Sequence, residues 1–154
     1  MAAVVPVVRV QVEDFDLAAE IAAISNGRTD IGAVVSFTGL CRDEGGMLAA
    51  LELEHYPGMA EAEIRRIAGE ALKRWPSQAR TAIHRVGKIA PGGNIVLVVA
   101  ASPHREAAFA AASFLMDFLK TNAPFWKKEH RRDGTSGEWV EAKDKDDAAL
   151  EQWR

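Results

Sequence analysis

Apolar and polar positions along the chain alternate with two different periods, and the switches between them mark out the elements. Val7 to Val12 alternates with period two and predicts a strand. Asp16 then precedes Leu17, Ile21 and Ile24, spaced as one face of a short helix with Asp16 as its N-cap. Gly32 to Gly39 is rich in β-branched and aromatic residues, and Leu48 to Tyr56 resumes an extended pattern after the Asp43-Glu44-Gly45-Gly46 cluster. These two runs are expected to form a hairpin with a mobile tip. Beyond Pro57 and Gly58, Met59 to Trp75 carries Ile64, Ile67, Ala68, Ala71 and Leu72 at helical spacing, with Pro76 as the stop. Thr81 to Ile89 and Ile95 to Ala101 flank the turn cluster Pro91-Gly92-Gly93-Asn94 and read as a second antiparallel pair.

Ser102 and Pro103 read as the N-cap and first residue of a helix that runs to about Thr121 and that Pro124 must stop. Its apolar residues, among them Ala108, Phe109, Ala112, Phe114, Leu115, Met116 and Leu119, nearly encircle it, which predicts burial in the core or against a partner. Phe125 to Arg132 and Glu138 to Ala142 read as strands around an Asp133 to Gly137 turn, and a short polar helix is expected from about Asp146 to Trp153. No repeat or linker interrupts residues 1–154, so the expectation is one domain. Hairpins outnumber crossovers in this order, which points to an α+β fold of mainly antiparallel sheet with covering helices.

Composition narrows the function classes. With 154 residues, 48% hydrophobic and 27% charged, the chain can bury a sizeable core. A net charge of -3 gives no overall attraction for nucleic acid or an anionic membrane, although a local basic patch can still hold a small anion. The longest apolar run, Ile95 to Ala101, falls far short of the ~20 residues that cross a bilayer. Met1 to Val8 lacks a basic leader and contains Pro6, so it is a poor signal peptide. One cysteine, Cys41, excludes an internal disulfide framework and a cysteine metal cluster, and suits a reducing cytosol. A cytoplasmic protein without a nucleic-acid or membrane partner is expected.

Motifs for dinucleotides, P-loop phosphates, zinc proteases and serine hydrolases are absent from the sequence. His55, His84, His104 and His130 are scattered, so neither a metal nor a cofactor is predicted. What remains is a set of cations. Lys120 near a helix C-terminus either complements the helix dipole or serves a site. Lys127, Lys128, His130, Arg131 and Arg132 are a solvated strand face or part of a pocket; Lys127 and Lys128, as strand neighbours, point to opposite sides. His104 and Arg105 sit where a first helical turn exposes N–H groups that attract anions. Cys41 beside Arg42 is either a thiolate nucleophile or a small apolar residue ending a strand, and the second reading is preferred. Phe125, Trp126 and Trp139 either flank a flat ring or pack in a core or interface.

Seven blocks then carry a resemblance: Gly32-Ala-Val-Val-Ser-Phe-Thr-Gly-Leu-Cys-Arg42, Leu53-Glu-His-Tyr-Pro-Gly-Met59, Ile83-His-Arg-Val-Gly87, Ser102-Pro-His-Arg105, Phe114-Leu-Met-Asp-Phe-Leu-Lys-Thr121, Ala123-Pro-Phe-Trp-Lys127 and Trp139-Val-Glu-Ala-Lys143. In this order, over nearly the whole chain, they resemble the molybdopterin synthase large-subunit family. The resemblance implies an α/β hammerhead-type fold and a homodimer with a small ubiquitin-like sulfur-carrier subunit at each end, a heterotetramer. It implies a sulfurtransferase of molybdenum cofactor biosynthesis. The carrier's Gly-Gly terminus, bearing a thiocarboxylate, delivers two sulfurs in turn to cyclic pyranopterin monophosphate and so makes the molybdopterin dithiolene.

Carried over by motif, the implied site is Arg42, His104, Arg105, Lys120 and Lys127, with Phe37 and Met116 as apolar walls. Leu40, Cys41, Lys128 and Glu129 complete the implied substrate surface. Lys120 is expected as the principal catalytic lysine and Lys127 as its assistant. Residue chemistry agrees, since phosphate and thiocarboxylate both bring negative charge that Arg, His and Lys can hold. Crowded, partly desolvated amines are also expected to exchange protons or form a transient adduct. Because the sulfur arrives on the partner, Cys41 is not required. Where relatives often carry an arginine reaching across the dimer, this chain has Lys143, which keeps the charge and loses the bidentate fork.

Overall fold

The structure, a computed structural model, describes residues 6–75, 79–121, 125–140 and 153. Seven strands and three α-helices follow one another as β1 (Val7–Gln11), α1 (Leu17–Ser25), β2 (Ala33–Leu40), β3 (Leu48–His55), α2 (Met59–Arg74), β4 (Ala79–Arg85), β5 (Gly87–Ile89), β6 (Asn94–Ser102), α3 (Arg105–Thr121) and β7 (Phe125–Arg131). The strands build a four-stranded sheet in the order β1-β4-β6-β2 and a three-stranded sheet in the order β5-β3-β7. Only β1 and β4 run parallel among these pairings, so the architecture is the expected α+β with mainly antiparallel sheet.

The period-two pattern of β6 explains how the larger sheet is covered. Val96, Val98 and Ala100 face α2 and α3 and join Ile64, Ile67, Ala111, Phe114 and Leu115 in the main core. Leu97, Val99 and Ala101 point the other way, toward α1, with Ile24 and Ile83. A strand buried on both faces reads as an unbroken apolar run, as Ile95 to Ala101 does. Helix α1 is capped as its sequence predicts: the Asp16 carboxylate accepts from Ala19 N–H at 3.1 Å. Helix α3 buries Ala108, Ala111, Ala112, Phe114, Leu115 and Leu119, while Phe109 on its outer side stays 62% exposed.

Several expectations are corrected. β2 and β3 do not form a hairpin; β2 pairs with β6, and β3 pairs with β5 and β7 in the other sheet. The cause lies at the end of β2, where the register shifts between Gly39 and Leu40. Cys41 N–H donates to Gly93 O at 2.8 Å and Gly92 N–H to Cys41 O at 2.7 Å, after which a short 3-10 turn at Glu44–Gly46 carries the chain across. Alternation specifies that a segment is a strand but not which strand it joins. The second predicted hairpin is half right. β4 pairs antiparallel with β6, but Gly87, at φ +88°, breaks the run and sends β5 to β3.

Ser102 is not an N-cap. It is the last residue of β6, paired with Ala33, and α3 starts only at Arg105. The tertiary pairing of Ser102 overrides its local capping preference. Of the expected strand from Glu138 to Ala142, the described part contributes an isolated bridge between Val140 and Lys127. Residues 141 and 142 and the expected helix from Asp146, apart from Trp153, lie outside the described residues.

Candidate active site

Leu40 to Arg42, the last turn of α3 and one face of β7 converge between the two sheets on a cavity of about 410 Å³. Arg42 arrives because the two backbone bonds from Cys41 to the Gly92–Gly93 turn pin the end of β2. Lys120 arrives on the last turn of α3, whose buried face docks on the larger sheet. Lys127, Glu129 and Arg131 arrive together because alternate residues of β7 share one face, and all three line the cavity. Leu48, Leu51 and Ile95 supply an apolar wall. A second space of about 330 Å³ shares Arg42, Lys127, Glu129 and Arg131 and extends to Gly137, Glu138 and Val140, so the two form one cleft.

Arginine and lysine outnumber carboxylates in the larger cavity, with Arg42, Lys120, Lys127 and Arg131 set against Glu44 and Glu129. Arg42 is exposed and pairs with Glu44, an ion pair in water that contributes little to stability and leaves the guanidinium free to exchange partners. Lys120 is exposed and Lys127 half-buried, so the desolvation expected for Lys120 is not supplied by this chain alone. Cys41 lines the cavity but is 3% exposed. Burial pushes its thiol up; a hydrogen bond at the Leu51 backbone opposes this, and the nearby Asp43 and Glu129 carboxylates add smaller upward pushes. That is the reverse of an activated nucleophile.

The other predicted residues lie elsewhere. Lys128 is on the opposite face of β7, with its Nζ 5.5 Å from the centre of the Trp139 ring, as the alternation expects. Phe37 and Met116 do not wall this cavity; they line a separate groove of about 360 Å³ between β2 and α3, together with Phe109. His104 and Arg105 are exposed at the opposite end of α3 from Lys120, a separation of about 22 Å at 1.5 Å per residue. Lys143 lies outside the described residues. Arg131, Leu48, Leu51 and Ile95 were missed as site residues, and the period-two step from Lys127 was the signal that reaches Arg131.

Next to Lys120 a ring cluster joins the two sheets. His84 of β4 stacks on Phe125, the first residue of β7, with centroids 3.9 Å apart and planes 14° from parallel. His55 lies on β3 opposite Phe125, at 6.1 Å between centroids. His84 Nδ1 is 2.8 Å from the Arg85 carbonyl oxygen. A carbonyl only accepts, so Nδ1 carries the proton. Burial, followed by the charges of Lys120 and His55, pushes the imidazole down to about 4, against the Arg85 carbonyl bond.

Among the described residues no group of three or more His, Cys, Asp or Glu is placed to hold a metal. No helix among them is long and apolar enough to cross a membrane.

Residues 10–122 match the family model described as MoaE protein. The chain is 69% identical, over 99% of its length and 96% of the relative's, to a molybdopterin synthase catalytic subunit of Mesorhizobium japonicum. The solved molybdopterin biosynthesis MoaE protein of Burkholderia ambifaria superposes with a TM-score of 0.84 at 49% identity, covering 96% of this chain and 97% of that one. The solved molybdopterin synthase of Staphylococcus aureus gives a TM-score of 0.77 at 32% identity, covering 85% of this chain and 94% of that one.

Proposed function

Because the chain belongs to the MoaE protein family, that of the molybdopterin synthase catalytic subunits, we propose that its cation-lined cleft is the sulfur-transfer site of that enzyme. The observation that carries the reading is the convergence of Arg42, Lys120, Lys127 and Arg131 from three separate segments on one cavity. Cyclic pyranopterin monophosphate and the thiocarboxylate terminus of a small carrier subunit are both anionic, and a cavity with surplus arginine and lysine compensates both. The apolar wall of Leu48, Leu51 and Ile95 accommodates the flat pterin and the methylenes of a Gly-Gly tail.

In this reading Lys120 is the principal catalytic group. Its ammonium stabilises negative charge developing on the substrate and exchanges protons as sulfur is delivered, and Lys127 holds the substrate and assists. The exposure of Lys120 in the lone chain fits a site that closes only when the carrier tail enters, which then excludes water and strengthens every charge interaction inside. Cys41 takes no part, since its buried thiol is held protonated and the sulfur comes from the partner.

His104 and Arg105 reach such a site only if it belongs to another copy, because α3 holds them about 22 Å from Lys120 of their own chain. A homodimer meeting across the groove of Phe37, Phe109 and Met116 is therefore part of the proposal. It gives those two cations a place as substrate ligands, and it gives Phe37 and Met116 a place as walls. The test is to mix the purified chain with thiocarboxylated carrier and cyclic pyranopterin monophosphate and to look for the dithiolene product. Product that depends on all three components supports the reading, and its absence with a verified carrier sinks it.

A further inference from the structure

His84 lines neither part of the cleft, yet it is in contact with the segment that joins both lysines. Lys120 lies one residue before the end of α3, and Lys127 lies two residues after the start of β7 at Phe125. The backbone of Lys127 is held by its pairing with Leu53 and its bridge to Val140, and the hold on Phe125 fixes the end of β7 that faces Lys120. β3 holds the Phe125 backbone through the pairing with His55, and His84, reaching over from the other sheet, holds its ring face to face. The Arg85 carbonyl fixes the His84 ring through Nδ1, and an imidazole kept neutral beside the Lys120 ammonium stacks without adding a second positive charge there.

We propose that His84 is a positioning residue of the sulfur-transfer site: by stacking on Phe125 it locks the start of β7 and so sets Lys127 against Lys120 across the cavity. The proposal rests on the reading of the cleft as that site. It assigns His84 no proton transfer, since one ring face is covered by Phe125 and Nδ1 is already committed to the Arg85 carbonyl. Displacing a reacting group by about 1 Å costs on the order of a hundredfold in rate, so loosening this clamp acts on turnover rather than on docking.

The experiment compares wild type, His84→Ala and His84→Phe as full chains with thiocarboxylated carrier and cyclic pyranopterin monophosphate. It measures kcat, the carrier Kd and far-UV circular dichroism. The expected result is a folded His84→Ala with carrier Kd within about twofold of wild type and kcat lower by about tenfold or more, while His84→Phe, which keeps a flat ring on Phe125, stays within about threefold. A folded His84→Ala with the wild-type kcat overturns the proposal, and so does a His84→Phe as slow as His84→Ala. Should His84→Ala not fold, His84→Leu fills the same space without a flat ring, and the same two outcomes decide. Failure of the wild type to make product removes the underlying reading itself, which separates that failure from one confined to His84.

Discussion

A neutral histidine half-buried between the two sheets should make the fold labile to acid, and the size of the effect follows from its surroundings. In the unfolded chain His84 titrates near 6.5, whereas in the native state burial and the Lys120 and His55 charges hold it at about 4. Between those values the unfolded state binds the extra proton and the native state does not, so stability falls as pH drops through this window. Above 6.5 the group contributes no slope, and below about 4 both states are protonated and the loss stays constant. At about 1.4 kcal/mol per pH unit the full loss is about 3.5 kcal/mol, and at pH 5 it is about 2 kcal/mol. His84→Phe keeps the stack and removes the titration. Urea unfolding of both proteins, followed by tryptophan fluorescence at pH 7.5 and pH 5.0 and at fixed ionic strength, isolates the effect, because the other histidines are common to both chains. The variant should gain about 2 kcal/mol on wild type between the two pH values. A gain below about 0.5 kcal/mol, or a loss, refutes the assignment of a neutral, half-buried His84.

Removing either amine from the cleft should cost catalysis without costing docking. Lys120→Ala and Lys127→Ala are each expected to lower single-turnover sulfur transfer by about 10²–10³, the usual cost of one charge-stabilising donor, with carrier affinity within tenfold by titration calorimetry; a wild-type rate in either removes that lysine from the chemistry. Cys41→Ser should retain most of the transfer rate, and a loss as large as that of Lys120→Ala would restore the thiol as a participant. Gly32→Ala should destabilise the fold by about 1–3 kcal/mol in urea, since a Cβ there would stand 2.1 Å from the Pro103 carbonyl oxygen, and an unchanged unfolding midpoint contradicts that close approach.

What was legible in the sequence was whatever depends on neighbours along the chain. The 3.6-residue spacing of Ile64, Ile67, Ala68 and Ala71 located α2, and the Asp16 carboxylate located the start of α1. Partnering was not legible. Nothing in the alternation of β3 says that it faces β7 rather than β2, and a single glycine with positive φ at position 87 decides that one apparent strand serves two sheets. Ser102 shows the same conflict at a helix start, where pairing with Ala33 outweighs its capping preference. For the site, the cations Arg42, Lys120 and Lys127 were named from the resemblance, and alternation placed Lys128 on the other face. Arg131 went unassigned because an arginine near a turn looks like solvated surface until the opposite wall is in place.

The crossing at Cys41 has a consequence for when the protein becomes competent. Arg42 is positioned by bonds to a turn some fifty residues later, and Lys120 and Lys127 by a helix and a strand later still. The four cations therefore come together only once α3 and β7 have folded back beside the end of β2. The same interleaving predicts that a version split between residues 41 and 93 will not assemble the four-cation cavity until its halves reassociate, a property that makes this seam a natural place to install an assembly-dependent reporter.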